Sequence, residues 1–127
     1  MTTLADIMTR DVFTTPPATS VAEVAASMVR GRFGSAMVMQ GPMVLGILTE
    51  RDVLRAAASG TDLRASPVSE WMTRDAQTAS PDVDSEEAAQ LMLTRGFRHL
   101  PVTEGGRVTG IVSLRDVLSA RVRRPSG

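Results

Sequence analysis

An internal repeat constrains the fold of this chain more than any other feature. When the sequence is shifted by 64 positions, residues 7–56 align with residues 71–120 without a gap, and twenty of the fifty aligned positions are identical. Chance would give roughly three identities at ordinary residue frequencies. The first heptapeptide, GILTERD at 46–52, returns as the second heptapeptide, GIVSLRD at 110–116. The chain is therefore a duplication of one structural unit.

Length and charge narrow the possible functions. With 127 residues, the chain suffices for one domain but not for two independent cores. The 14 basic and 14 acidic side chains cancel, so no net field attracts nucleic acid or a membrane surface. Arg121, Arg123 and Arg124 form a small basic end, which we interpret as a frayed, solvated terminus.

Several classes of site are excluded by composition. The chain has no cysteine, so disulfides and zinc–thiolate sites are impossible, and no metal site is predicted. The start lacks the pattern of a signal peptide, and no apolar run has membrane-spanning length, so we expect a cytoplasmic protein. His99 is the single histidine, and no nucleophile signature accompanies it, so we expect no enzymatic activity.

Each half predicts the order βαββα after a short helical turn. Ser20 with Glu23, and Asp84 with Glu87, have the spacing of capping boxes that start the first long helix. Gly31 and Gly96 are candidate stops for these helices. The predicted turns and strands are Leu4–Met8, Val68–Met72, Ser35–Met39, Met43–Leu48, His99–Thr103 and Arg107–Val112. Gly105-Gly106 predicts a tight hairpin turn.

The fold class expected from this pattern is α+β. Each half alone would leave one face of its sheet uncovered. We therefore expect the two sheets to pack face to face about a pseudo-twofold axis, with the helices outside.

The heptapeptides have two interpretations from the residues alone. In the first, Gly46 and Gly110 end a strand, Thr49 or Ser113 caps the next helix, and the aspartate three residues later favours the helix N-terminus. In the second, the free amides of that N-terminus bind phosphate, and the carboxylate accepts hydrogen bonds from ribose hydroxyls. Arg51 and Arg115 either supply the cation that phosphate needs or are solvated surface residues.

The repeated half closely resembles a CBS motif, named after cystathionine β-synthase, and a tandem pair is called a Bateman module. The resemblance rests on MTRD, the Thr-x-x-Pro stretch and the heptapeptides, in register in both halves, and on FRHLPV at 97–102. The first half departs from the last pattern, because Met37 stands where the second half has Pro101. It implies one module over 1–127, with motif 1 at 4–58, a linker at 59–67, motif 2 at 68–121 and a flexible tail at 122–127. These boundaries cover nearly the whole chain.

The resemblance implies a sensor of adenosine-containing ligands: AMP, ADP, ATP or S-adenosylmethionine. Such pairs bind ligands in two clefts between the motifs, and the aspartate takes the ribose hydroxyls. By position, one cleft would hold Thr49, Arg51, Asp52, Thr78, Arg98, His99 and Leu100. The other would hold Thr14, Ser35, Ala36, Ile111, Ser113, Arg115 and Asp116. The basic residues Arg98 and His99 favour the first cleft as the tighter phosphate site.

Family members commonly pair, so the resemblance also implies a homodimer that acts on a separate client protein. The alternative function is a structural or dimerisation module with empty clefts. In that case the heptapeptides serve only as helix caps.

Overall fold

The computed structural model describes residues 1–123 and shows an α+β protein. Within that range there are five α-helices, one 3-10 turn and five strands. The α-helices are α1 (Leu4–Ile7), α2 (Val21–Gly31), α3 (Glu50–Ala58), α4 (Ser85–Arg95) and α5 (Leu114–Arg123), and the 3-10 turn is Val68–Glu70. The strands are β1 (Thr14–Thr15), β2 (Ser35–Gln40), β3 (Met43–Thr49), β4 (His99–Glu104) and β5 (Arg107–Ser113).

The chain forms two compact units whose limits differ from those of the repeat. The continuous unit comprises Phe13–Ala76, and the split unit combines Met1–Val12 with the chain from Gln77 onward. The opening segment of each repeat, residues 1–12 in the first and 65–76 in the second, therefore packs on the sheet of the other repeat. Leu4, fully buried, belongs to the core of the split unit, and Val68, also fully buried, belongs to the core of the continuous unit. Each unit thus has its own hydrophobic cluster, which corrects the expectation that the chain is too short for two cores.

The continuous unit contains a three-stranded sheet. β1 runs parallel to β2, and β2 is antiparallel to β3 with Ser35 opposite Thr49. α2 packs on this sheet because Val21, Val24 and Met28 form one apolar face, and all three are buried.

The split unit repeats this arrangement with one fewer regular strand. β4 and β5 form an antiparallel pair with His99 opposite Ser113, and Ala79 makes only an isolated parallel bridge to Val102. In the continuous unit the Met37 amide donates to the Phe13 carbonyl at 2.9 Å. The repeat places Pro101 at the position of Met37, and proline has no amide hydrogen to donate. This missing donor explains the shorter pairing.

The prediction that Gly46 and Gly110 end strands is wrong. Both lie inside strands, opposite Val38 and Val102, and the strands continue to Thr49 and Ser113. A Cβ on Gly46 would lie 2.6 Å from the Thr73 carbonyl oxygen, so the glycine allows a backbone segment to cross the sheet closely.

The crossing segments come from the MTRD sequences. Thr73 exchanges two backbone hydrogen bonds with Ile47, at 2.8 and 3.0 Å. Thr9 exchanges two with Ile111, both at 2.9 Å. In each unit, therefore, the repeated glycine lies against the repeated MTRD sequence.

The helix ends confirm the predicted caps in part. The Ser20 hydroxyl accepts from the Glu23 amide at 3.1 Å, and the Asp84 carboxylate accepts from the Glu86 amide at 3.0 Å. The reciprocal bonds from Glu23 and Glu87 that a capping box requires are not formed among residues 1–123. Gly96 ends α4 with φ 77°, as predicted.

α2 ends at Gly31, as predicted, but the left-handed residue that follows is not a glycine. Gly31 is the last helical residue, and Arg32 adopts the left-handed conformation with φ 58°. A Cβ on Gly31 would lie 2.4 Å from the Phe33 ring, so close packing, not backbone conformation, requires glycine there.

The C-terminal end is more ordered than the sequence suggests. α5 continues through Arg123, so residues 122 and 123 of the predicted tail are helical. Arg121 is not a frayed side chain, because its Nε donates to Glu86 Oε1 of α4 at 2.8 Å, and this pairing raises the pKa of Arg121. The rest of the tail, with Arg124, lies outside the described residues.

Candidate functional site

The first heptapeptide forms a strand-to-helix turn. β3 ends at Thr49 and α3 begins at Glu50. The Thr49 amide and hydroxyl donate to Asp52 Oδ2 at 2.9 and 3.1 Å, and the Asp52 amide donates to the Thr49 hydroxyl at 3.4 Å. This reciprocal capping box satisfies amides that the first helical turn leaves free.

The second heptapeptide forms the same box at the start of α5. The Ser113 amide donates to Asp116 Oδ2 at 2.8 Å, and the Asp116 amide donates to the Ser113 hydroxyl at 3.0 Å. The capping interpretation is therefore confirmed in both units. It does not exclude ligand binding, because one carboxylate can cap with one oxygen and bind with the other.

The two aspartates differ in burial and in the use of their second oxygen. Asp52 is 4% exposed, and its Oδ1 accepts from Arg55 Nη2 at 3.0 Å. Asp116 is only half-buried, and its Oδ1 has no hydrogen-bond partner within the part of the chain that the structure describes. The second heptapeptide thus offers a carboxylate oxygen that the first does not.

Arg55 was not singled out from the sequence as a site residue. Its Nη2 also donates to the Trp71 carbonyl at 3.3 Å, and its guanidinium lies 5.7 Å from the centre of the Trp71 ring. The available signal was a difference between the repeats. Arg55 aligns with Ser119, and Trp71 aligns with Ile7, so only the continuous unit can make this contact.

Strands β2 and β4 each begin beside the heptapeptide of their own repeat. Ser35 pairs with Thr49, and the Glu50 amide donates to the Gly34 carbonyl at 3.3 Å. His99 pairs with Ser113 in the same way. The structure therefore brings Ser35 and Ala36 near Thr49, and His99 and Leu100 near Ser113, within single units.

The remaining predicted residues divide by exposure. Ala36 and Leu100 are fully buried core residues, so neither offers a side chain to a ligand. Ile111 is half-buried and exchanges its backbone hydrogen bonds with Thr9. The exposed ones are Thr14, Arg51, Thr78, Arg98 and Arg115. The crosswise grouping of these residues into two clefts remains a prediction.

Comparison with known proteins identifies the family. The sequence model of the CBS domain matches residues 4–59 and again residues 68–123. The chain therefore belongs to the CBS domain family and carries two CBS motifs.

Relatives and solved structures agree with this assignment. The chain is 35% identical over 118 residues to the CBS domain-containing protein YhcV of Bacillus subtilis, covering 92% of this chain and 84% of that protein. It is 39% identical over 121 residues to an uncharacterized 17.7 kDa protein of Acidianus ambivalens, covering 94% and 73%. A crystal structure of a CBS-domain containing protein from Agrobacterium tumefaciens matches with TM-score 0.89 and 34% identity, covering 94% of this chain and 99% of that one.

Neither a membrane-spanning helix nor a metal cluster emerges from the described residues. No helix within 1–123 combines the length and the apolar character that crossing a bilayer requires. In the same range, no three His, Asp or Glu side chains are grouped as metal ligands would be.

Proposed function

We propose that this chain is a regulatory module that binds adenosine-containing ligands and has no catalytic activity of its own. The candidate ligands are AMP, ADP, ATP and S-adenosylmethionine. The observation that carries the proposal is the second heptapeptide, where the half-buried Asp116 uses one oxygen for its cap and leaves Oδ1 without a partner among residues 1–123. A carboxylate so placed suits the paired hydroxyls of a ribose, and the adjacent helix N-terminus suits phosphate.

One solved structure with this fold holds ligands of the proposed class. The CBS domain pair with TM-score 0.88 and 24% identity to this chain was crystallised with 5'-methylthioadenosine and S-adenosyl-L-methionine. Both ligands carry an adenosine ribose. At this identity the likeness extends to the fold alone, so the ligand class of this chain is argued from Asp116 and Ser113.

Ligand binding would regulate a partner through linkage. A ligand that contacts elements of both repeats favours one arrangement of those elements. Any client protein that prefers the same arrangement then binds more tightly, and the effect is reciprocal. Affinity in the micromolar range, about −8 kcal/mol, suits a sensor of cellular nucleotides.

Calorimetry with the four candidate ligands tests the proposal. We expect at least one to bind wild-type protein and Asp116→Ala to weaken that binding by about ten- to a hundredfold, because charge-assisted hydrogen bonds contribute about 1.5–3 kcal/mol. Glu87→Ala, an exposed acid on α4, is the matched control and should bind normally. Circular dichroism checks that Asp116→Ala, which also loses a cap, remains folded.

The alternative function, a structural module with empty clefts, makes the opposite prediction. None of the four ligands would then bind or raise the melting temperature. Asp116→Ala would lower stability through its lost cap in the presence and absence of ligand alike.

A homodimer is the second part of the proposal. Apolar side chains are exposed at equivalent positions of both repeats: Val29 (80%) and Leu93 (62%), and Leu54 (70%) and Leu118 (47%). Hexameric CBS-CP12 protein from cyanobacteria, 28% identical with TM-score 0.86, is an example of assembly among related structures. We expect light scattering to give a dimer mass and the double variant Leu54→Glu/Leu118→Glu to give a monomer. The Met43→Glu variant, exposed on a strand, serves as the control.

A further inference from the structure

The contact with Arg55 distinguishes Asp52 of the first heptapeptide from Asp116 of the second. We propose that Arg55 keeps the first heptapeptide closed by occupying the Asp52 carboxylate, so that the second heptapeptide binds the ligand first and more tightly. This inference rests on the proposed function and adds to it the order of the sites and the residue that sets the order.

The hydrogen-bonding capacity of Asp52 is largely used within its own unit. Oδ2 accepts from the Thr49 amide and hydroxyl, and Oδ1 accepts from Arg55. The Asp52 side chain is 5% exposed. A ribose hydroxyl therefore reaches Oδ1 only when Arg55 moves away.

Two further contacts hold the Arg55 guanidinium in place. Nη2 donates to the Trp71 carbonyl at 3.3 Å, and the guanidinium is 5.7 Å from the Trp71 ring centre. An arginine near the face of a tryptophan ring gains cation–π attraction. Trp71 thus positions Arg55 over Asp52.

The split unit has neither the arginine nor the tryptophan of this contact. Ser119 stands at the position of Arg55, and Ile7 stands at the position of Trp71. Serine carries no charge to pair with Asp116, and isoleucine has no ring to attract a guanidinium. Asp116 accordingly remains half-buried with Oδ1 available.

The contact is reversible. The Arg55 side chain is 56% exposed, and ion pairs at such positions are weak. Arg55 therefore lowers ligand affinity at the first heptapeptide without abolishing it, and the weak ion pair together with the Trp71 contact should give about a five- to tenfold difference between the sites. This order is the reverse of the one that Arg98 and His99 suggest from the sequence.

Calorimetry with AMP tests the inference on the whole chain. Wild-type protein should show one dominant binding event, which Asp116→Ala weakens and which Asp52→Ala, shown by circular dichroism to be folded, weakens much less. Arg55→Ser, which installs the residue of the other repeat, should add a second event of comparable affinity. Adding Asp52→Ala to Arg55→Ser should remove that second event.

Three further variants test whether the effect depends on the contact between Arg55 and Asp52. Arg64→Ser removes an exposed positive charge elsewhere in the continuous unit and should add no event. Arg55→Ala has no side-chain donor and is a better helix former, so it should behave as Arg55→Ser does, which covers a failure of the serine variant to fold. Trp71→Ile, with the carbonyl kept, should open the site in part.

The outcomes separate the inference from the proposed function. If Asp52→Ala removes the wild-type event, or if neither Arg55 variant adds a second one while wild type binds, Arg55 is not the closing residue and the module still binds ligand. If AMP and the other three ligands bind to no variant, Arg55→Ser included, the proposed function fails and the inference fails with it.

Discussion

Arg32 ends α2 in a left-handed conformation with φ 58° and ψ 38°, and its counterpart in the repeat is Gly96 with φ 77°. Side chains with a Cβ are strained in this region, whereas glycine is not. Both amides nevertheless serve the same purpose, because the Arg32 and Gly96 amides each donate to a carbonyl in the last turn of their helix. The turn itself is therefore unstrained, and the backbone strain at this position arises only because Arg32 carries a Cβ.

Arg32→Gly should raise the free energy of unfolding by about 0.5–1 kcal/mol, the relief of left-handed strain less the entropy of a glycine. The melting temperature should rise by about 2–4 °C. Arg30→Gly, two residues earlier in the helical part of α2, should instead lower stability by a similar amount. A fall in stability for Arg32→Gly would show that its side chain makes a contact worth more than the strain.

The heptapeptides show how far single residues were predictable. Thr49, Asp52, Ser113 and Asp116 were found from spacing, since a hydroxyl and a carboxylate three residues apart suit a helix start. The difference between Asp52 and Asp116 was not found, because it depends on Arg55 and Trp71, which are 16 residues apart in sequence and meet only in the fold.

At the scale of elements, the absence of a side chain at Gly46 of β3 and Gly110 of β5 lets the MTRD segments pack closely against these strands. A Cβ on Gly46 would meet the Thr73 carbonyl oxygen at 2.6 Å, an atom fixed by two hydrogen bonds. A Cβ on Gly110 would first meet the Met8 sulfur, also at 2.6 Å, which is the end of a flexible side chain. The same substitution therefore meets a rigid obstacle in one unit and a softer one in the other.

Gly46→Ala should cost about 1–3 kcal/mol of stability, and Gly110→Ala should cost less. Double-mutant cycles measured by urea denaturation distinguish the obstacles. Adding Met8→Ala to Gly110→Ala should recover part of the loss, because the clashing thioether is gone. Adding Met72→Ala to Gly46→Ala should recover little, and equal recovery in both units would contradict the assignment of the Thr73 backbone as the obstacle.

Most strands and helices were predicted within one or two residues, since each half alternates or repeats its apolar residues clearly. The shortened pairing at Ala79 was not predicted. The sequence shows Pro101 in place of Met37, but the effect of this difference depends on which neighbour the missing amide would have faced. That neighbour is defined by the sheet and not by the local sequence.

At the scale of the whole molecule, the two repeats exchange their opening segments to form the compact units. Residues 13–76 contain Val68, Met72 and Thr73, which complete the core and sheet edge of the continuous unit. A fragment cut at the repeat boundary, residues 4–67, lacks all three and leaves Leu4 without its core. The two fragments have equal length.

We expect residues 13–76 to show more helical signal and a more cooperative thermal transition than residues 4–67, measured by circular dichroism. The reason is burial, because three core or edge contacts are present in one fragment and absent from the other. Equal behaviour of the fragments would mean that the exchanged segments contribute little to either unit.

The sequence was sufficient for the duplication, the α+β class, the order of elements and the capping residues, because each of these is written in local spacing and in identity between the halves. The tertiary structure was needed for the exchange of opening segments, the role of the strand glycines and the inequality of the two aspartates. All three arise from contacts between residues distant in the chain, and a repeat in sequence gives both halves the same local signals whichever segment packs on which sheet.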